Sequence, residues 1–400
     1  MGFFKEKINT GPEKIKEVLT KGVSEVAVRE NLEKRLASGE KLRVKLGIDP
    51  TGPNIHIGRA VVLWKLKEFQ DLGHQIIFIV GDYTAQIGDP SDKFAKRPFL
   101  SEEEVVKNMK TYKEQLSRIL DVSKVEWRKN SQWLSKLKPI ELDRLADLFT
   151  VNQMLARRNF KERWEKNQEI SLREFHYPLY QGYDSVMVKA DVEIGGFDQL
   201  FNLLAGRKIQ EYFDQPAQDI LTTKMLFGLD GRKMATTWGN VLNINEKPGE
   251  MFGKIMSIKD DLILDYFLLA AWLPEEEVFK KEERLKAGEN PRDLKLELAW
   301  EITKKYWSRE AADKARDNFI KTFQQKAEPE DIKEIKIEKG TELAAFLLAE
   351  GLVESKSDFR RLVKAGAIEM AGQIVKDFDF KISQPGLVKV GKRRFIRVIV

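Results

Sequence analysis

The stretch Gly47-Ile48-Asp49-Pro50-Thr51-Gly52-Pro53-Asn54-Ile55-His56-Ile57-Gly58-Arg59 decides the fold. An apolar run from Val44 to Ile48 leads into it and reads as a buried strand. Ala60 to Leu72 follows, with Val62, Leu63, Leu66 and Phe69 on one helical face and Gly73 as a C-terminal stop. A strand-to-helix turn in an open α/β sheet lies outside the carboxyl ends of the strands, where ligands bind. The helix end offers free N–H groups and a partial positive charge to phosphate. Gly47 and Gly58 permit close backbone approach, Thr51 and His56 can donate to phosphate oxygens, and Arg59 adds fixed charge. Taken alone, the turn reads equally well as an ordinary βα connection with a buried histidine, because it matches neither the Walker nor the dinucleotide glycine pattern.

Working outward, Gln75 to Val80 is a second buried strand, so strand, helix and strand make the unit of a parallel sheet. Before the turn, Pro12–Lys21 and Val26–Ser38 read as charged helices. After it, residues 83–98 form a long loop with Lys93, Lys96 and Arg97, a candidate lid over an anion. Glu102 to Leu120 reads as one amphipathic helix opened by a Ser101–Glu104 capping box, Val125 to Asn130 as a third strand, and Leu134 to Arg163 as helices.

Composition narrows the chemistry. The 400 residues carry no cysteine, which excludes disulfides, thiolate metal sites and cysteine nucleophiles. His56, His74 and His176 have no metal-ligand spacing, so no protein-bound metal is expected. There is no signal-like N-terminus or long apolar run, which predicts a cytoplasmic protein away from membranes. The net charge of +6 permits a polyanionic partner.

Two further stretches carry information. Tyr177, Gln181 and Asp184 fall at i, i+4 and i+7, a polar face within an apolar segment, which needs either a hydrogen-bonded core network or a ligand. Val192 to Gly196 reads as a strand whose end, Gly195-Gly196-Phe197-Asp198-Gln199, sets a carboxylate and an amide beside two glycines. The third stretch, Leu229 to Asn240, is a glycine-flanked loop with Arg232 and Lys233, suited to phosphate contact or to a surface turn.

In order and spacing, the three stretches resemble the bacterial tyrosyl-tRNA synthetases over essentially the whole chain. His56-Ile57-Gly58-Arg59 resembles the "HIGH" signature of class I aminoacyl-tRNA synthetases, with Arg59 in the place of the usual second histidine. Arg232 to Asn240 resembles the "KMSKS" loop, with Lys233 as its lysine and Thr236 where a second lysine or a serine is usual. Gly88 to Ser91 with Lys93 and Arg97 resembles the family's mobile loop. Phe197 stands where a small or hydroxylic residue is common.

The resemblance implies roles. Thr51, His56, Arg59, Lys93, Arg97, Lys233 and Thr236 would serve the chemistry at the phosphates. Gly47, Asp49, Gly58, Gly196 and Asp198, with Lys233, would hold ATP. Lys45, Thr84, Asp89, Tyr177, Gln181, Asp184 and Gln199 would hold L-tyrosine. Magnesium would travel with ATP as part of the substrate. The partners implied are L-tyrosine, ATP, tRNA(Tyr) and a second copy in a homodimer.

The same resemblance divides the chain into a Rossmann-like catalytic domain with a helical insert over 1–246, an all-helical anticodon-side domain over 247–330 and a small α+β S-four-like RNA-binding domain over 335–400. Residues 335–400 hold 13 lysines and arginines against 8 acidic residues, so five of the chain's six net charges sit there. Such concentration reads as a nucleic-acid footprint, with Arg360, Arg361, Lys364, Lys392, Arg393 and Arg394 as the candidate tRNA contacts.

Overall fold

A computed structural model describes residues 8–90, 99–324, 332–391 and 394–399. Contacts divide the chain into two units, Met1–Arg316 and Asp317–Val400.

The first unit is built on a six-stranded sheet: β1 (Val23–Ala27), β2 (Arg43–Ile48), β3 (Gln75–Val80), β4 (Glu126–Lys129), β5 (Val192–Gly196) and β6 (Asp219–Thr223). Their spatial order is β1-β6-β5-β2-β3-β4. β1 runs antiparallel to β6, and the other pairings are parallel. β3, Gln-Ile-Ile-Phe-Ile-Val, is apolar on both faces because helices cover both sides of a parallel sheet. The strand order switches direction between β2 and β5. Among the described residues those two strands pair at Val44–Val192 and Lys45–Glu193 and no further, so a crevice opens at their carboxyl ends.

Several elements differ from the sequence expectations. Val26 and Ala27 lie in β1 because they pair with Leu221 and Ile220 of β6, and the helix beyond is Arg29–Ala37. β6 itself, Asp-Ile-Leu-Thr-Thr, is fully buried yet carries no alternation to signal it. The expected Glu102–Leu120 helix forms its capping box but divides into Glu102–Met109 and Tyr112–Leu116. Its side chains turn to the Pro-rich stretch: Asn108, Tyr112 and Gln115 donate to the carbonyls of Pro50, Gly52 and Pro53 at 2.9, 2.7 and 2.8 Å.

The helices from Pro248 belong to the first unit as far as Arg316. They pack on the Ile57–Asp71 helix, where Trp64 donates to Tyr306 at 3.0 Å and Glu68 accepts from Trp272 at 2.8 Å. Among the described residues no helix is long and apolar enough to cross a membrane.

In the second unit, strands Gln373–Ile374, Ile368–Met370, Gly386–Val390, Arg394–Ile399 and Glu334–Lys336 form a sheet in that order. Helices Leu343–Ala349 and Lys356–Lys364 share its core through Leu343, Leu347, Phe359, Val388 and Val398.

Candidate functional site

The crevice holds a cavity of about 360 Å³. Every described residue expected at the tyrosine, ATP or chemical site lines it except Lys45. Lys93 and Arg97 lie outside the described residues.

At one end is Asp184. The Leu172–Val188 helix carries Tyr177, Gln181 and Asp184 on one face despite Pro178. Asp184 is buried, accepting from Trp133 Nε1 at 2.7 Å and Asn130 Nδ2 at 3.2 Å. Burial pushes its carboxyl up to about 7, against the Lys45 ammonium and those two hydrogen bonds, which pull it down. A chain of bonds continues outward. Asn130 donates to Thr84 at 2.9 Å, Thr84 to Asp49 at 2.7 Å, and Tyr177 to the other Asp49 oxygen at 2.9 Å. Asp49, which the resemblance assigns to ATP, also ties the tyrosine-side residues together. Gln199 donates to Asp89 at 2.7 Å, and Asn202 donates to Gln181 and Gln199, each at 3.1 Å.

Lys45 lies beneath this end and is fully buried. Its ammonium meets Glu193 at 2.9 Å and donates to the Gln181 carbonyl at 2.9 Å and Ser185 Oγ at 2.8 Å. All three of its protons are thus taken by protein groups, which is why a lysine can sit inside a sheet. Removing one partner of such a pair strands the other, at a cost of roughly 3–5 kcal/mol.

At the other end the glycine turn meets the third stretch. The helix begins at Ile57, with His56 as its N-cap accepting from the Arg59 N–H at 3.3 Å. Arg59 also donates to Thr51 at 3.0 Å. Gly47 is open, with no atom near its missing Cβ, whereas a Cβ on Gly58 would come to 3.1 Å from Met234 Sδ. Backbone pairing explains that closeness: Ile57 N–H donates to Leu242 at 2.8 Å and Ile244 N–H to Ile55 at 2.9 Å. The loop between is organised by Asn240, which donates to Asp230 and the Lys233 carbonyl and accepts from Ala235. The Asn240 hydrogen bond first, with the backbone and guanidinium bonds from Arg232, holds the Asp230 carboxyl down at about 2. Lys233 reaches across to Asp198 at 3.2 Å. Thr236 is exposed on the same rim.

Both ends can be described by their charge. One has carboxylates and amides fitted to a hydroxyl and an ammonium, and the other has cations and backbone N–H groups fitted to phosphate. Asn130, Trp133, Glu193 and Asn202 were not anticipated. Asn130 carried a signal, as the polar residue closing an expected strand; Trp133 carried none.

In the second unit Arg360, Arg361 and Lys364 are exposed on one helix face while Phe359, Leu362 and Val363 are buried on the other. Arg361 pairs with Asp358 at 2.6 Å, and Arg394 donates to the Leu352 carbonyl. Lys392 and Arg393 lie outside the described residues.

Comparison with known proteins follows the same outline. A family model described as class I tRNA synthetases (W and Y) matches residues 37–324. The chain is 47% identical to the tyrosine–tRNA ligase of Carboxydothermus hydrogenoformans over 96% of this chain and 97% of that protein. It is 43% identical to that of Thermotoga maritima, covering 97% and 98%. Among solved structures, a C-terminally truncated mitochondrial tyrosyl-tRNA synthetase of Aspergillus nidulans superposes with a TM-score of 0.62 at 22% identity, covering 78% of this chain and 94% of that one. At that identity the likeness speaks for the fold.

Proposed function

Since the chain belongs to the class I aminoacyl-tRNA synthetases, among the tyrosine–tRNA ligases, and is thereby an enzyme, we propose the following division of labour along its cavity. A carboxylate oxygen of L-tyrosine attacks the α-phosphorus of ATP, a new P–O bond forms, and the bond to pyrophosphate breaks. A ribose hydroxyl at the 3′ end of tRNA(Tyr) then attacks the tyrosyl carbonyl, AMP leaves, and the hydroxyl proton passes to the leaving phosphate or to water. No side-chain nucleophile is used. Rate comes from alignment of the reactants and from charge placed where the phosphates develop it.

Asp184, ionised, accepts a hydrogen bond from the phenol hydroxyl. Tyr177, Gln181, Asp89 and Gln199 surround the ammonium group, with Thr84 and Asp49 bracing them. Gly47, Gly58, Gly196 and Asp198 hold the nucleotide. Thr51, His56, Arg59, Lys233 and Thr236 face the phosphates, and Lys93 and Arg97 are assigned there by family resemblance. Magnesium is carried by ATP. The donors facing the phosphates are cationic or neutral, a set that suits a metal–nucleotide complex delivered whole rather than a carboxylate cage.

One observation carries this reading: Asp184 and the Arg59–Lys233 group line one cavity, so both reactants meet within it. The deciding experiment is ATP–pyrophosphate exchange. Exchange driven by tyrosine and not by phenylalanine or tryptophan is expected; exchange driven by another amino acid would move the site to that substrate.

The basic face of Arg360, Arg361 and Lys364 is assigned to tRNA, with Lys392, Arg393 and Arg394. Each phosphate neutralised adds roughly 0.7–0.9 to the slope of log affinity against log salt. A chain ending at Gln324 should therefore keep exchange and bind tRNA with a shallower slope, and equal slopes would make that charge solvated surface. A homodimer is inferred with the function and is supported by exposed Phe197, Leu204, Tyr212 and Phe213 on and beside one helix. Light scattering tests it. The reaction belongs in the cytoplasm, with its tRNA.

A further inference from the structure

We propose that the buried Lys45–Glu193 pair is a positioning device for tyrosine recognition, with Lys45 setting the position and charge of Asp184 and Glu193 the orientation of Gln181. The proposal rests on the tyrosine reading above and concerns two residues that need not touch the substrate.

Topology brings the pair together. Lys45 and Glu193 are direct partners across β2 and β5, at the last paired rung before those strands part and the cavity opens. They form its foundation. Above them passes the helical turn from Gln181 to Ser185, and Lys45 grips it at both ends, through the Gln181 carbonyl and Ser185 Oγ. Asp184 lies between those two contacts, so its carboxylate has little freedom to move away.

Glu193 completes the clamp with four hydrogen-bond donors. One oxygen takes Lys45 and Gln181 Nε2 at 2.9 and 3.1 Å, the other Ser185 Oγ and Gln218 Nε2 at 3.1 and 2.5 Å. The Gln181 amide is thereby turned so that its oxygen accepts from Asn202. Close helix packing seals the group. A Cβ on Gly206 would lie 2.5 Å from Gln218, 3.1 Å from Ser185 and 3.3 Å from Glu193. Water therefore has little room to screen the pair, and its charges are felt at Asp184.

The charges that act on Asp184 are opposed: Lys45 favours its ionised form and Glu193 disfavours it, with Lys45 the stronger. From the other elements around it, Asp49 after β2 stands beyond Thr84 and Asn130, while Trp133 and Asn130 are uncharged donors. Tyr177 precedes Asp184 by two turns on its own helix, and the neighbouring Leu200–Tyr212 helix contributes uncharged Asn202 and Gly206.

The test is the pH dependence of kcat/KM for tyrosine, which reports ionisations of the free enzyme. In the wild type it should rise with pH through about 7 as Asp184 ionises. Lys45→Met should move that limb to higher pH by on the order of one unit, lowering kcat/KM at pH 7 by roughly fivefold. Glu193→Gln should move it the opposite way, with KM for ATP unchanged in both. A purely structural role would shift both variants alike or neither, and either result overturns the proposal. If a single variant does not fold, the charge-balanced Lys45→Met/Glu193→Gln chain should show a smaller upward shift, and an unmoved limb overturns the idea there too. A wild type that does not exchange with tyrosine would defeat the tyrosine reading itself; a tyrosine-active wild type with unsplit variants defeats the positioning role alone.

Discussion

The two ends of the cavity are built on different principles. The Asp184 end is buried and preorganised: its carboxylate already accepts from Trp133 and Asn130 with lone pairs left for one more donor, and the Lys45 ammonium below it has all its partners within the protein. The Arg59–Lys233 end is half-exposed, and its cations make provisional contacts, Arg59 with Thr51 and Lys233 with Asp198. A rigid, preorganised end selects, because a wrong ligand leaves buried groups unpaired. A half-solvated cationic end can re-pair as charge develops, which is what a step through a phosphorus centre requires.

The strongest way to break that contrast is Asp184→Ala. Loss of tyrosine activation is expected, together with collapse of discrimination against phenylalanine from about 10⁴–10⁵, a range set by tyrosyl-tRNA synthetases themselves rather than by this geometry. Competitive exchange kinetics would show it, and intact discrimination would remove Asp184 from recognition.

Lys233→Ala probes the other end. Adenylation should slow by about 10²–10³ while tyrosine affinity stays near wild type, because the lysine acts mainly where charge develops. Pre-steady-state measurement separates the two quantities. A rate unchanged from wild type would make the Asp198 contact an ordinary surface ion pair.

The smallest effect sharpens the comparison. Thr236→Lys adds an ammonium to the same rim, and the rate should rise by less than roughly tenfold with no change in selectivity. Altered tyrosine selectivity in that chain would mean that the two ends are not independent.

Much of the architecture was legible because it was local. The glycine turn between Ile48 and Ile57 sits between an apolar run and an amphipathic one, and each has its own period. The Tyr177–Asp184 spacing likewise names a helix face without any partner. β1 and β6 were hidden for the opposite reason. Val23–Ala27 and Asp219–Thr223 are too short to show a period, and what makes them strands is pairing: β1 with β6, 193 or more positions apart from Ala27–Ile220 outward, and β6 with β5 on its other edge. The same holds at the site, where Trp133 points at Asp184 across 51 residues.

By itself, the sequence determined which chemistry was available: a helix end with Thr51, His56 and Arg59, a helix face with Asp184, a loop with Lys233, and a terminal segment carrying most of the net charge. Tertiary structure decided how those groups are used. It put Lys45 below the cavity instead of on its wall, made Asp49 a brace for Tyr177 and Thr84, and seated Met234 against Gly58 through the pairing of Ile55 and Ile57 with residues 242–244. The physical reason is burial. A residue's type and period can be read along the chain, but a buried charge or amide takes its role from whichever partner satisfies it, and that partner is chosen by the strand order.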